Sequence, residues 1–170
     1  MLKGIKLRPY AIHSLVAALL YCLPLIFFLK TADYTRAWLL YLGNFLFMLV
    51  IIYFLFVFNA KRDENAGTLA MLTASSITTV MGTIMAVILS LVLLLVFVPG
   101  LLNSGSPAKH LINEPANSIQ GKTDGLVFMI IANSIIGNVS CGLFAAIIFP
   151  FSLKGDQTKE KVPKKKQAEL

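Results

Sequence analysis

His13 and His110 are the only histidines of this chain, and Cys22 and Cys141 its only cysteines. Apart from six methionine thioethers they are the whole stock of imidazole and thiol groups, and their spacing gathers no site. No Cys-x-x-Cys, His-x-x-x-His, Walker-type glycine loop or G-x-S-x-G elbow is present. Serine and threonine are frequent between 68 and 83, but no buried base accompanies them to activate a hydroxyl. Intramembrane proteolysis by paired aspartates or by serine and histidine has no residues to use. The chain therefore reads as non-enzymatic, with no cofactor and no metal.

What remains is neutral polarity at helical spacing. Ser75, Thr79 and Thr83 recur every four residues, and Gly82, Ala86 and Ser90 form an adjacent line. Further on, Asn133, Gly137, Cys141 and Ala145 repeat the spacing, and Ser134, Asn138, Gly142 and Ala146 repeat it one residue later. Small-residue stripes let helix backbones approach closely inside a membrane. The first reading is helix packing, with the third and fourth spans joined through these faces and Asn133 and Asn138 bonded across the seam. The second reading is the lining of a passive pore. An amide left unpaired in lipid costs more than the bond it forgoes, so either reading must find partners for both asparagines.

The elements that carry these stripes are four stretches without Asp, Glu, Lys or Arg: 10–29, 38–58, 69–98 and 126–151. A hydrocarbon core of about 30 Å needs about 20 helical residues, so each stretch is long enough to cross. The chain is 57% hydrophobic and 14% charged, against about 25% charged in soluble domains. The predicted fold is an all-α integral membrane protein. Four transmembrane helices form an antiparallel bundle over 1–153, and a lysine-rich tail follows over 154–170. The first stretch begins with Lys3, Lys6 and Arg8, as a signal peptide does, but its apolar run is about twice too long and no small-residue cleavage site follows. It is read as a permanent helix. Both cysteines lie inside spans at similar depth, which suits small buried residues better than a disulfide.

Charge sets the predicted topology. The N-terminus, the connector with Lys61 and Arg62, and the tail with Lys154 and five further lysines hold 11 of the 15 basic residues. Positive residues collect on the cytoplasmic side, so both termini are expected there, in a bacterial inner membrane. Trp38 and Tyr10 open spans at headgroup level. Only about eight residues join the first two spans, which makes them neighbours. Pro24 removes one backbone hydrogen bond from the first and favours a kink. The second span is apolar all round and rich in aromatics, with Gly43-Asn44 its only soft spot. The third is overlong: thirty residues reach roughly 45 Å, so it tilts or starts in the interface. An irregular outer loop over 99–125 has room for a short helix near 108–113.

Three smaller features complete the reading. His13 sits about one turn into its span and suits a hydrogen-bonded interfacial residue better than a proton or headgroup contact. Asp63 and Glu64 belong to a solvated turn, with Asn65 to Thr68 offering a helix cap. Lys159, Lys161, Lys164, Lys165 and Lys166 would attract anionic lipid, at about 1 kcal/mol each near the surface. Nucleic-acid binding is not expected, because no folded basic surface accompanies them.

The plan resembles uncharacterised small four-span proteins of bacterial inner membranes. The resemblance rests on the order of spans and on the turn Lys61-Arg62-Asp63-Glu64-Asn65-Ala66-Gly67 before a Ser/Thr-rich third span. The longer outer loop and the lysine tail also carry it. It implies a location and no activity. The function expected is a non-catalytic accessory or assembly subunit of a larger membrane complex. Its partners are membrane lipids and other integral membrane chains, and homo-oligomerisation is open to it. The alternative is a self-assembling pore or facilitator for a small neutral or lipid-like solute.

Overall fold

The computed structural model describes residues 7–60, 68–98 and 125–154, and these are almost entirely helical. In order they form α1 (Leu7–Thr31), a 3-10 turn (Tyr34–Arg36), α2 (Trp38–Ala60), α3 (Thr68–Phe97), α4 (Gly125–Ala132), a π turn (Asn133–Gly137) and α5 (Asn138–Lys154). The last three run on as one fourth span. Four helices are thus long and apolar enough to cross a membrane, with 24, 27, 30 and 28 residues in their apolar parts. The turn 61–67, the outer loop up to 124, its expected short helix and the tail lysines lie outside the described residues.

The connector between α1 and α2 is built from local bonds. Ala32 ends α1 with φ +48° while its N–H still donates to the Phe28 carbonyl at 2.7 Å. Glycine is the usual residue in this left-handed position. The Asp33 carboxylate then accepts from the Thr35 N–H at 3.0 Å, and the Asp33 carbonyl from the Arg36 N–H at 3.0 Å. The chain reverses tightly enough to set α2 beside α1. α1 passes through Pro24 without interruption.

Neighbour relations follow from the contacts between helices. α1 packs against α2 and α3, and the fourth span packs against the same two. α1 and the fourth span therefore occupy one diagonal of the bundle, and α2 and α3 the other. Tyr10 near the start of α1 meets Phe54 and Phe58 near the end of α2, at ring separations of 5.5 and 6.3 Å. Ser14 Oγ donates to the Thr78 carbonyl of α3 at 2.9 Å. Phe56 of α2 lies edge-on to Phe149 of α5 at 5.8 Å.

Two aromatic side chains fill the centre along the two diagonals. Phe47, fully buried on α2, reaches Gly82 of α3, where an added Cβ would fall 2.9 Å from Cζ of Phe47. Tyr21, fully buried on α1, leans over Gly43 of α2, where an added Cβ would lie 3.0 Å from its ring. In a membrane, where lipid tails are as apolar as these side chains, close packing and interhelical hydrogen bonds drive helix association.

Candidate functional site: a polar seam inside the bundle

Tyr21 carries a hydroxyl into the middle of an apolar bundle, where two polar residues of the fourth helix bond it and link it to one from α2 and one from α3. Asn133 Nδ2 donates to Tyr21 Oη at 3.2 Å, and Tyr21 Oη lies 2.8 Å from Ser134 Oγ. Ser134 Oγ lies 3.0 Å from Ser90 Oγ of α3. Because Tyr21 accepts from Asn133, its own proton is available to Ser134, and the Ser134 proton to Ser90. Chains of this kind polarise one another in a low-dielectric interior. Asn44 of α2 closes the set as a reciprocal amide pair. Its Nδ2 donates to Asn133 Oδ1 at 2.9 Å, and Asn133 Nδ2 returns to Asn44 Oδ1 at 3.4 Å. Five residues from all four spans thus form one network.

The π turn makes this possible. Its wider i to i+5 winding brings the adjacent side chains of Asn133 and Ser134 to more nearly the same inward face. Asn133 then serves α1 and α2 while Ser134 serves α1 and α3. Gly137 closes the same turn, and an added Cβ there would collide with the Asn44 amide.

The two small-residue lines of the fourth span face two different helices. The line through Asn133, Gly137, Cys141 and Ala145 runs along α2. Asn133 and Gly137 both meet Asn44, and Phe149, the next residue on the line, meets Phe56. The line through Ser134, Asn138, Gly142 and Ala146 runs along α3, where Ser134 meets Ser90 and a Cβ on Gly142 would collide with Thr79. The sequence expectation set both lines, and both asparagines, against the third span. Asn133 is instead bonded to the first and second. The physical reason is that i, i+4 spacing fixes which residues share a face, not which neighbour that face meets.

The inner half of the α3 line is different. Thr79 Oγ1, Thr83 Oγ1 and both amide atoms of Asn138 are buried with no hydrogen-bond partner. Ser134 opposite Ser90 and Gly142 opposite Thr79 fix the register of the seam, and Asn138, midway between them, falls level with Thr83 and Ala86. Ser75 is satisfied within its own helix, donating to the Met71 carbonyl at 2.8 Å and the Leu72 carbonyl at 3.0 Å. Thr78 does the same to the Ala74 carbonyl at 2.9 Å.

The remaining candidates fall away from the seam. Cys141 is half-buried and Cys22 buried, and both are free thiols. His13 donates through Nδ1 to the Pro9 carbonyl at 2.7 Å and rests against Phe54 at 5.0 Å. Among the described residues, no three of His, Cys, Asp and Glu come together. Tyr21 is the residue sequence reasoning missed. Its signal was available: a phenol in mid-span needs a partner, and the asparagines were the obvious ones.

The fold and the site define a bundle of four helices, each long and apolar enough to cross a membrane, with an internal polar network. Comparison with known protein families, with curated proteins and with solved structures finds no match.

Proposed function

We propose that this protein is a non-catalytic integral membrane subunit of a larger assembly, in a bacterial inner membrane with both termini in the cytoplasm. One observation carries the reading. The interhelical polar bonds turn inward to each other, while the outer surface is apolar and, on α2, aromatic. Trp38, Tyr41, Phe45, Tyr53 and Phe56 are all exposed there, at successive spacings of three, four, eight and three residues that place them on one side of the helix. Aromatic side chains are rigid, large contact surfaces and favour interfaces. The bundle closes on itself, and this face is left for other integral membrane chains. The tail lysines, Lys159 to Lys166, hold anionic lipid at the cytoplasmic surface.

The test is isolation of the tagged protein from its native membrane in a gentle detergent, with native mass measurement. Stoichiometric recovery with other integral membrane chains is the expected result. A stable monomer with no partner would contradict the proposal. Cysteines introduced at Ser106 and Gly155 check the topology: only the first should react with an impermeant reagent added outside intact cells.

A second reading, a facilitator for small neutral solutes, has the unpaired Asn138, Thr79 and Thr83 in its favour. Asn138 and Thr79 are fully buried within one chain, so such a route would run through a single bundle rather than between copies. Solute flux into liposomes that is unchanged when Asn133 and Asn138 are both replaced by leucine would dispose of it.

A further inference from the structure

We infer that the inner half of the seam between α3 and α5 is a hydration site. Thr79, Thr83 and Asn138 there hold a small neutral guest that both donates and accepts hydrogen bonds, namely water. Two independent observations meet at this place. The first is the small-residue seam itself, where Gly142 backs onto Thr79 and Ala86 and Ala146 are fully buried. The second is the concentration of orphaned polar atoms: two hydroxyl oxygens and both atoms of a carboxamide, from residues 0–6% exposed.

The chemistry of the donor set selects the guest. The Asn138 amide brings two N–H donors and a carbonyl acceptor, and the two threonines bring hydroxyls that can act either way. A guest bonded to this set must both donate and accept. The described parts of α3 and α5 bring no acidic side chain to the seam, and a bare ion in such a site would be left uncompensated. That leaves a neutral molecule, and the tight backbone approach at Gly142 leaves room only for a small one. Entry lies on the Thr83 side, because Thr83 is 6% exposed while Thr79 and Asn138 are fully enclosed. Four buried polar atoms without partners are each costly, and water bridging them recovers most of that cost. The inference stands whether or not the protein is a subunit of an assembly.

The experiment is water-edited solid-state NMR on the isotope-labelled full chain in lipid bilayers. It reads magnetisation passed from water protons to side-chain amide nitrogens. The Asn138 amide should receive it early, and the Asn133 amide, whose partners are Asn44 and Tyr21, should stay dark. Asn138→Leu identifies the peak by removing it. The same variant gives a second, opposite-signed readout in thermal unfolding. If water satisfies the amide, leucine lowers Tm by about 2–6 °C; if the amide is dry, leucine of similar size raises it. An Asn138 amide as dark as that of Asn133, or a rise in Tm with leucine, would overturn the inference. Should the variant fail to fold, the spectrum of the native chain decides alone.

Discussion

The two halves of this bundle, the one nearer the α1–α2 connector (outer in the proposed topology) and the opposite one (inner), bury the same kinds of side chain and treat them differently. In the outer half, Tyr21, Asn44, Ser90, Asn133 and Ser134 satisfy one another across four spans. In the inner half, Thr79, Thr83 and Asn138 are as deeply buried and have no protein partner. Composition does not explain the contrast, since each half has hydroxyls and at least one amide. Geometry does. The outer half has a long side chain, Tyr21, able to cross the diagonal, and a π turn that presents two adjacent polar residues inward. The inner half has a regular helix, short side chains and a glycine that pulls the backbones together. Around Tyr21 one long side chain and one wide turn bring the polar groups together, whereas Thr79, Thr83 and Asn138 do not reach a partner across the seam.

Several substitutions would sharpen this contrast or break it. The largest effect is expected at Gly142, where an alanine methyl collides with Thr79. Gly142→Ala should cost about 2–3 kcal/mol of unfolding free energy in lipid or mild detergent. Adding Thr79→Ala should recover part of it, because Cγ2 and Oγ1, the two nearest obstructing atoms, are gone while Cβ remains 2.9 Å away; equal losses with and without that second change would refute the close approach. Next comes Asn133→Leu, which strands the Asn44 amide and takes one donor from the Tyr21 hydroxyl, still bonded to Ser134. A loss of about 2 kcal/mol is expected, visible as a lower unfolding temperature.

Smaller changes separate the two halves more finely. Tyr21→Phe removes only a hydroxyl and should cost about 1 kcal/mol. Thr79→Val removes a hydroxyl of equal burial with no protein partner, and should cost less than half as much. If the two variants unfold alike, the distinction between a paired and an unpaired half fails. The smallest effect is expected at Ala32, whose positive φ strains an L-residue by about 1–2 kcal/mol. Ala32→Gly relieves that strain and gives up one buried methyl, worth about 0.8 kcal/mol. A gain of less than about 1 kcal/mol should appear in the same unfolding assay.

Much of this was legible in the sequence. Uncharged runs at 10–29, 38–58, 69–98 and 126–151 become helices whose ends lie within three residues of those limits. Charge exclusion from hydrocarbon is a strong signal that needs no partner to read it. The stripes of α3 and of the fourth span were also visible, because four-residue spacing is local. Their neighbours were not. That α1 lies beside α3, and that one stripe of the fourth span turns to α2, depends on packing between elements far apart in the chain. The π turn left no mark either, since Asn133 and Ser134 have the same spacing pattern with or without it. Asn44 was noticed as a soft spot and Tyr21 was not weighed as a hydrogen-bonding group. Asking where each mid-span polar atom finds a partner would have joined them to Asn133.

The account depends most on four spans joined by their own polar groups, and the Asn44–Asn133 pair is the most direct test of that. A double-mutant cycle with Asn44→Leu, Asn133→Leu and the double variant, unfolded in one detergent, isolates the pair. The account predicts that the double variant is more stable than the sum of the single losses implies, with a coupling of about 0.6–2 kcal/mol. Strictly additive losses would mean that the two amides do not hold α2 to the fourth span, and would contradict it.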